Sequence, residues 1–201
     1  MIGIRNKGFT LIELTVSVAV LLFVVVGAVA IFITVVQHQR VILAEQELLN
    51  QASFVLERMS KALRTAKRED GTGTVICLFQ GYNYELTRPD SGIYTGIKFI
   101  NQSDNNACQE FYLNTDRSVL MEVKNYGNSV DITSDKFQVN SIRFGINGGN
   151  GCHGASCVNG ARDSDGIQPR VTIFLEIQTT GSNPIVKKIQ TTVSQRDLNV
   201  P

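Results

Sequence analysis

The chain has 201 residues, with 19 Lys and Arg against 18 Asp and Glu, and a mean hydropathy of +0.01. Arg5, Lys7 and Glu13 lie ahead of residue 37, so the rest keeps 17 of the 19 basic side chains and 17 of the 18 acidic ones. That balance excludes the long-range field that draws a nucleic acid or an acidic lipid surface, and the length suits one domain with an appendage.

Residues 1–8 form a short basic leader. The 28 residues from Phe9 to Val36 follow, and Glu13 is the only charge among them. As a helix this run measures about 42 Å, against about 30 Å of bilayer hydrocarbon, so it is long enough to cross. Arg5 and Lys7 place the N-terminus in the cytoplasm and the rest outside. A secretory signal cut after Ala28-Val29-Ala30 is one alternative, but the helical pattern runs on past that cut. A plain bitopic anchor is the other. It leaves Glu13 unexplained, because an acid in a membrane helix is costly unless it has a partner or lies near the interface. It leaves the Gly8-Phe9 junction unexplained too.

The stretch "KGFTLIEL", Lys7 to Leu14, resembles the processing site of type IV prepilins and type II secretion pseudopilins. The resemblance implies cleavage after Gly8 by a membrane prepilin peptidase and N-methylation of the new amine on Phe9. Glu13 would then meet the Phe9 amine of a neighbouring subunit during assembly. Implied partners are other pilin or pseudopilin subunits, an inner-membrane assembly platform, and membrane lipid before assembly. No nucleic acid is expected, and no cofactor.

Past the membrane the helical pattern continues over 37–70. Ile42, Leu49, Leu56 and Leu63 recur every seven residues, and Val41, Leu48, Ala52, Val55, Met59, Ala62 and Ala66 widen the stripe. The apolar face is broader than a two-in-seven coiled-coil seam and is expected to lie against a sheet. No Pro or Gly interrupts from Ala28 to Asp70. One helix is therefore predicted from Phe9 to Arg68, ended by "DGTG" at Asp70–Gly73. The cations Arg58, Lys61, Arg64, Lys67 and Arg68 are read as a solvated face rather than a DNA contact.

From 71 to 201 the pattern turns to strands: Thr74–Phe79, Tyr82–Leu86, Gly96–Ile100, Glu110–Leu113, Ser118–Lys124, Phe137–Ile146, Arg170–Thr179 and Ile185–Gln195. In "VTIFLEIQ" the residues Val171, Ile173, Leu175 and Ile177 alternate with a more polar set, as in an antiparallel strand with one buried face. One long helix followed by strands is the α+β pattern. The resemblance implies the same fold: a long N-terminal helix, membrane-spanning in its first half, packed on an antiparallel sheet.

Four cysteines lie in this body, which favours two disulfides if it sits outside the cytoplasm. The short spacing in "CHGASC" points to Cys152–Cys157, leaving Cys77–Cys108. Free buried thiols and a zinc site using His153 are the alternatives. "DSDG" offers Asp163 and Asp165 for calcium, but the flanking ligands of a calcium loop are missing and a surface turn fits better. There is no G-x-S-x-G, H-E-x-x-H or P-loop, and neither His38 nor His153 stands near a nucleophile motif, so no enzyme is expected. The segments "IQTTVSQRDL" and "LERMSKALRTA" resemble J-type minor pseudopilins and W-type minor pilins. A Pro midway along the membrane helix, common in major pilins, is absent. That absence, and a body larger than in a minimal pseudopilin, favour a minor subunit, at the tip or in priming.

Overall fold

The computed structural model describes residues 8, 10–71, 76–148, 168–181 and 184–196. Helix α1 spans Leu11–Arg64, 54 residues without a break. Contacts divide the chain between Glu45 and Gln46. Ahead of that division the apolar side chains from Leu11 to Val35 stand exposed. An 18-residue window there reaches a mean hydropathy of 3.1 and is 0% buried. A helix apolar on all sides needs an apolar solvent, as in a membrane span.

After the division α1 becomes a core helix. Leu48, Ala52, Val55, Leu56, Met59, Ala62 and Leu63 are buried, at the three- and four-residue steps that keep one face inward. Most of the stripe read from the sequence is buried, Leu56 and Leu63 of the heptad included. Val41, Ile42 and Leu49 depart from it, at 55%, 53% and 40% exposed.

The helix also ends at Arg64 rather than Arg68. The chain then extends, and strand β1 (Ala66–Lys67) pairs with Asn101 and Ile100. The last carbonyls find other donors. Thr65 N–H donates to Ala62 O (3.1 Å) and Arg196 N–H to Arg64 O (2.7 Å). The Tyr84 hydroxyl donates to Leu63 O at 2.8 Å. Sheet pairing, one local turn bond and two tertiary caps therefore stop the helix before the glycines do. Burial pushes the Tyr84 phenol above its ordinary pKa. The phenol thus adds stability below pH 10, where the unfolded phenol is still protonated, and that stability is lost as pH rises further. Tyr84→Phe should cost about 1 kcal/mol near neutrality, roughly 2–4 °C in thermal midpoint, and should flatten the alkaline loss. Thermal unfolding of the detergent-solubilised chain at pH 7 and pH 11 checks both.

All strand pairing is antiparallel. The first sheet contains β2 (Tyr84–Asp90), β3 (Ile93–Asn101), β4 (Ala107–Asn114), β5 (Val119–Lys124) and β6 (Val130–Asp131). It runs β1-β3-β4-β5-β6, and β2 shares with β1 the outer edge of β3. The second sheet is β7 (Phe137–Asn147), β8 (Arg170–Thr179) and β9 (Val186–Ser194), in that order. A bond from Val139 N–H to Ser118 O (2.8 Å) ties the two sheets. Gly96 is a close approach: a Cβ there would meet Thr87 Oγ1 and lie 3.1 Å from Tyr112 Cβ.

One core joins the helix to both sheets. Ile97, Phe99, Phe111 and Leu120 come from the first sheet, and Ile142, Val171, Ile173, Leu175 and Ile177 from the second. Val171, Ile173, Leu175 and Ile177 face inward as their alternation predicts. In β7 the inward set changes parity, from Phe137 and Val139 to Ile142 and Phe144. A register shift between Val139 and Ser141 causes it, since one extra residue in a bulge re-phases the faces.

Two expectations fail here. Of the predicted strand Thr74–Phe79, residues 76–79 are irregular, and residues 72–75 lie outside the described set. A buried carboxylate holds this stretch instead. Glu69 is 4% exposed, and it accepts bonds from the N–H groups of Gly71 (3.0 Å), Cys77 (3.0 Å) and Leu78 (3.4 Å). The short strands β1 and β6, of two residues each, were not foreseen, being too brief to carry a pattern.

Candidate functional site: the N-terminal segment

The apolar half of α1 opens with Thr10. Its Oγ1 lies 3.3 Å from Glu13 N–H and accepts from it, and its carbonyl accepts from the N–H groups of Glu13 (3.1 Å) and Leu14 (3.2 Å). Thr10 is thus the N-cap, with Glu13 at the third helical position. The sequence carries the signal, Thr-x-x-Glu before an apolar run, and the cap was missed because Glu13 drew attention only as a misplaced charge.

The other hydroxyls of this segment are self-satisfied. Thr15 donates to Ile12 O (2.9 Å), Ser17 to Glu13 O (2.7 Å) and Thr34 to Ala30 O (3.0 Å). Such back-bonding is how hydroxyls are carried at membrane depth. The Glu13 carboxylate, by contrast, has no hydrogen bond or ion pair among the described residues. Among the described residues no cation meets this negative charge at the mouth of the apolar helix. An acid in the first turn also suits the positive end of the helix dipole.

Gly8 is exposed, and a Cβ placed there or at Gly27 would meet nothing within 4 Å. Packing among the described residues therefore gives no reason for glycine at position 8. Phe9 lies outside the described residues.

Residues 4–34 match the family described as the prokaryotic N-terminal methylation motif. The same segment carries the stretch that resembles type IV prepilins and pseudopilins. The matched stretch takes in Gly8, Phe9, the Thr10 cap, Glu13 and the hydroxyl-bearing apolar turns. No curated protein and no solved structure matches the chain. The match covers residues 4–34 and supports a type IV pilin or pseudopilin precursor.

In the body, Cys77 and Cys108 form a disulfide with Cα atoms 5.4 Å apart. Glu69 holds the backbone of Cys77 from one side, and Asn125 Oδ1 accepts from the Cys108 N–H at 2.9 Å on the other. Cys152, Cys157, His153, Asp163 and Asp165 lie outside the described residues. Among the described residues no group of three His, Cys, Asp or Glu could hold a metal ion. His38 is exposed.

A polar ladder was not foreseen. Asn101, Gln109 and Glu122 are each 5% exposed or less, on the inner face of β3, β4 and β5. Asn101 Nδ2 donates to Gln109 Oε1 (2.7 Å) and Gln109 Nε2 to Glu122 Oε1 (2.6 Å). The helix grips both ends: Arg58 Nε donates to Glu122 Oε2 at 2.9 Å, and Thr65 Oγ1 to Asn101 Oδ1 at 2.8 Å. The signal was in "VLMEVK", where Glu122 interrupts an apolar strand.

Proposed function

We propose that the chain is a structural minor pilin or pseudopilin subunit, not an enzyme, incorporated at the tip or in priming of a type IV pilus or type II secretion pseudopilus. Residues 1–8 are the leader, removed by prepilin peptidase after Gly8, and the new Phe9 amine is methylated. Residues 9–36 anchor the subunit in the inner membrane, with the N-terminus cytoplasmic and the 71–201 body outside, until the assembly platform extracts it. The 37–70 stretch joins the two. The observation that carries this reading is the Glu13 carboxylate, which has no partner among the described residues and stands at the third position of the helix that Thr10 caps, in a segment whose other hydroxyls satisfy themselves.

Cleavage creates a cation at Phe9, four residues from that carboxylate. In low dielectric, a neighbour's amine meeting Glu13 rewards one axial register and penalises others. The J-type and W-type resemblance of "IQTTVSQRDL" supports the minor role through Gln195. This residue is 1% exposed, takes a bond from Asn83 (2.8 Å) and donates to Ala66 O (2.7 Å), so the tail motif docks on the end of the helix motif.

Mass analysis of the membrane-extracted protein tests the processing step. A mature chain beginning at methylated Phe9 is expected; an intact Met1, or a start at Ile31, would overturn the reading.

A further inference from the structure

The five cations at helical spacing do not share one fate. Arg58 is bound to Glu122, and Lys67 pairs with Asp70 at 3.4 Å. Arg68 turns toward Gly81, where a Cβ would lie 3.5 Å from its Nη2. Lys61 and Arg64 remain on the outer helix face. The returning chain then adds a third cation, Arg196, whose N–H is fixed to Arg64 O. Buried Gln195, bonded to Ala66 O, pins the backbone beside it. With Glu57, Ser60, Thr65 and Ser103 these three line an open cavity of about 480 Å³.

The cluster is not explained by capping. The carbonyls of Ala62, Leu63 and Arg64 already have donors in Thr65, Tyr84 and Arg196 N–H. None of the three cationic side chains forms an ion pair among the described residues, and Glu57 is the acid among the lining residues. The bonds of Gln195 and Arg196 fix the backbone of the returning chain beside the helix end, so the fold brings three cationic side chains to one cavity in a body of balanced charge.

We propose that this cavity binds a compact oxyanion of the phosphate or sulfate class. Two guanidinium groups supply planar forks for such oxygens, Lys61 a point charge and Ser60 a hydroxyl. The volume falls in the range of ligand cavities, about 300–1,000 Å³, and leaves room for a sugar-sized body carrying the oxyanion. Glu57 at the rim and the neutral remainder of the body disfavour a long polyanion, which needs many phosphate contacts. The proposal does not depend on which fibre uses the subunit.

The test is thermal unfolding of the full chain in detergent micelles, with sodium chloride replaced by inorganic phosphate at constant ionic strength. The midpoint should rise saturably, by roughly 3–6 °C at ten times the Kd. Arg64→Gln and Arg196→Gln should each abolish the rise while keeping or raising the midpoint in chloride. Arg143→Gln, in β7, should leave the rise intact. Glucose 6-phosphate binding more tightly than phosphate would identify a group-borne oxyanion, and equal binding a free one. No saturable rise, or an equal rise in the Arg64 and Arg196 variants, would overturn the site. Tighter binding of a 20-nucleotide DNA strand than of either phosphate, lost in both variants, would overturn the compact-ligand form.

Discussion

Glu13→Ala should leave the protein in the membrane and nearly empty the fibre fraction of it. The carboxylate makes no bond among the described residues, so its removal costs the fold no more than its interaction with the helix dipole, about 0.3–1 kcal/mol, and loss of an acid from an apolar helix favours insertion. In an assembled fibre the same change leaves a neighbour's amine buried and unpaired. Removing one member of a buried pair costs about 3–5 kcal/mol, which is roughly a hundredfold or more in incorporation. The readout is the ratio of sheared-fibre to membrane-bound protein. Thr10→Ala is the control. It removes the N-cap, worth about 1 kcal/mol of helix stability, and leaves the charge, so its fibre fraction should fall far less. Equal incorporation of Glu13→Ala and wild type would remove the charge-pairing account.

Breaking the Cys77–Cys108 bridge should give the largest loss of stability in the body. The cysteines are 31 residues apart, and closing a loop of that length is worth about 3–4 kcal/mol in the chain-entropy account. A paired Cys77→Ser, Cys108→Ser variant should therefore melt roughly 6–16 °C lower. The bonds from Glu69 remain in that variant, so the 69–82 stretch loses its covalent closure but keeps its carboxylate anchor. An unchanged midpoint would mean that Glu69 alone suffices to hold it.

Much of this architecture could be read in advance where a pattern was long. The apolar first half of α1, the alternation in β8 and the order of helix then strands are all repeated signals, and each repeat adds to the last. What escaped was decided by partners distant in sequence. The helix ended at Arg64 because Tyr84, Arg196 and β3 take its final turn, and no local propensity encodes that. Leu56 and Leu63 of the predicted stripe are buried while Ile42 and Leu49 are exposed, because a broad apolar face does not by itself say which of its members the sheets reach. The polar ladder through Asn101, Gln109 and Glu122 was hidden for a related reason. Each residue taken singly looks like a surface residue, and only the pairing of three strands brings them into one chain of hydrogen bonds. At the N-terminus the motif itself was plain, while the Thr10 cap that positions Glu13 was overlooked in favour of the charge.

The docking of Gln195 and Arg196 on the last turn of α1 also bears on the order of events as the protein is made. Gln195 bonds to a residue 129 positions earlier, so the end of the helix cannot be completed until nearly all of the body has been made. Pairings this remote in sequence close late and slowly. The anchor can be seated in the bilayer long before then. A subunit with an unfinished body therefore displays a helix end stripped of its caps and lacks Arg196 beside Arg64. A quality-control factor or an assembly partner that touches this spot would tell a finished subunit from an unfinished one without probing any other part of the fold.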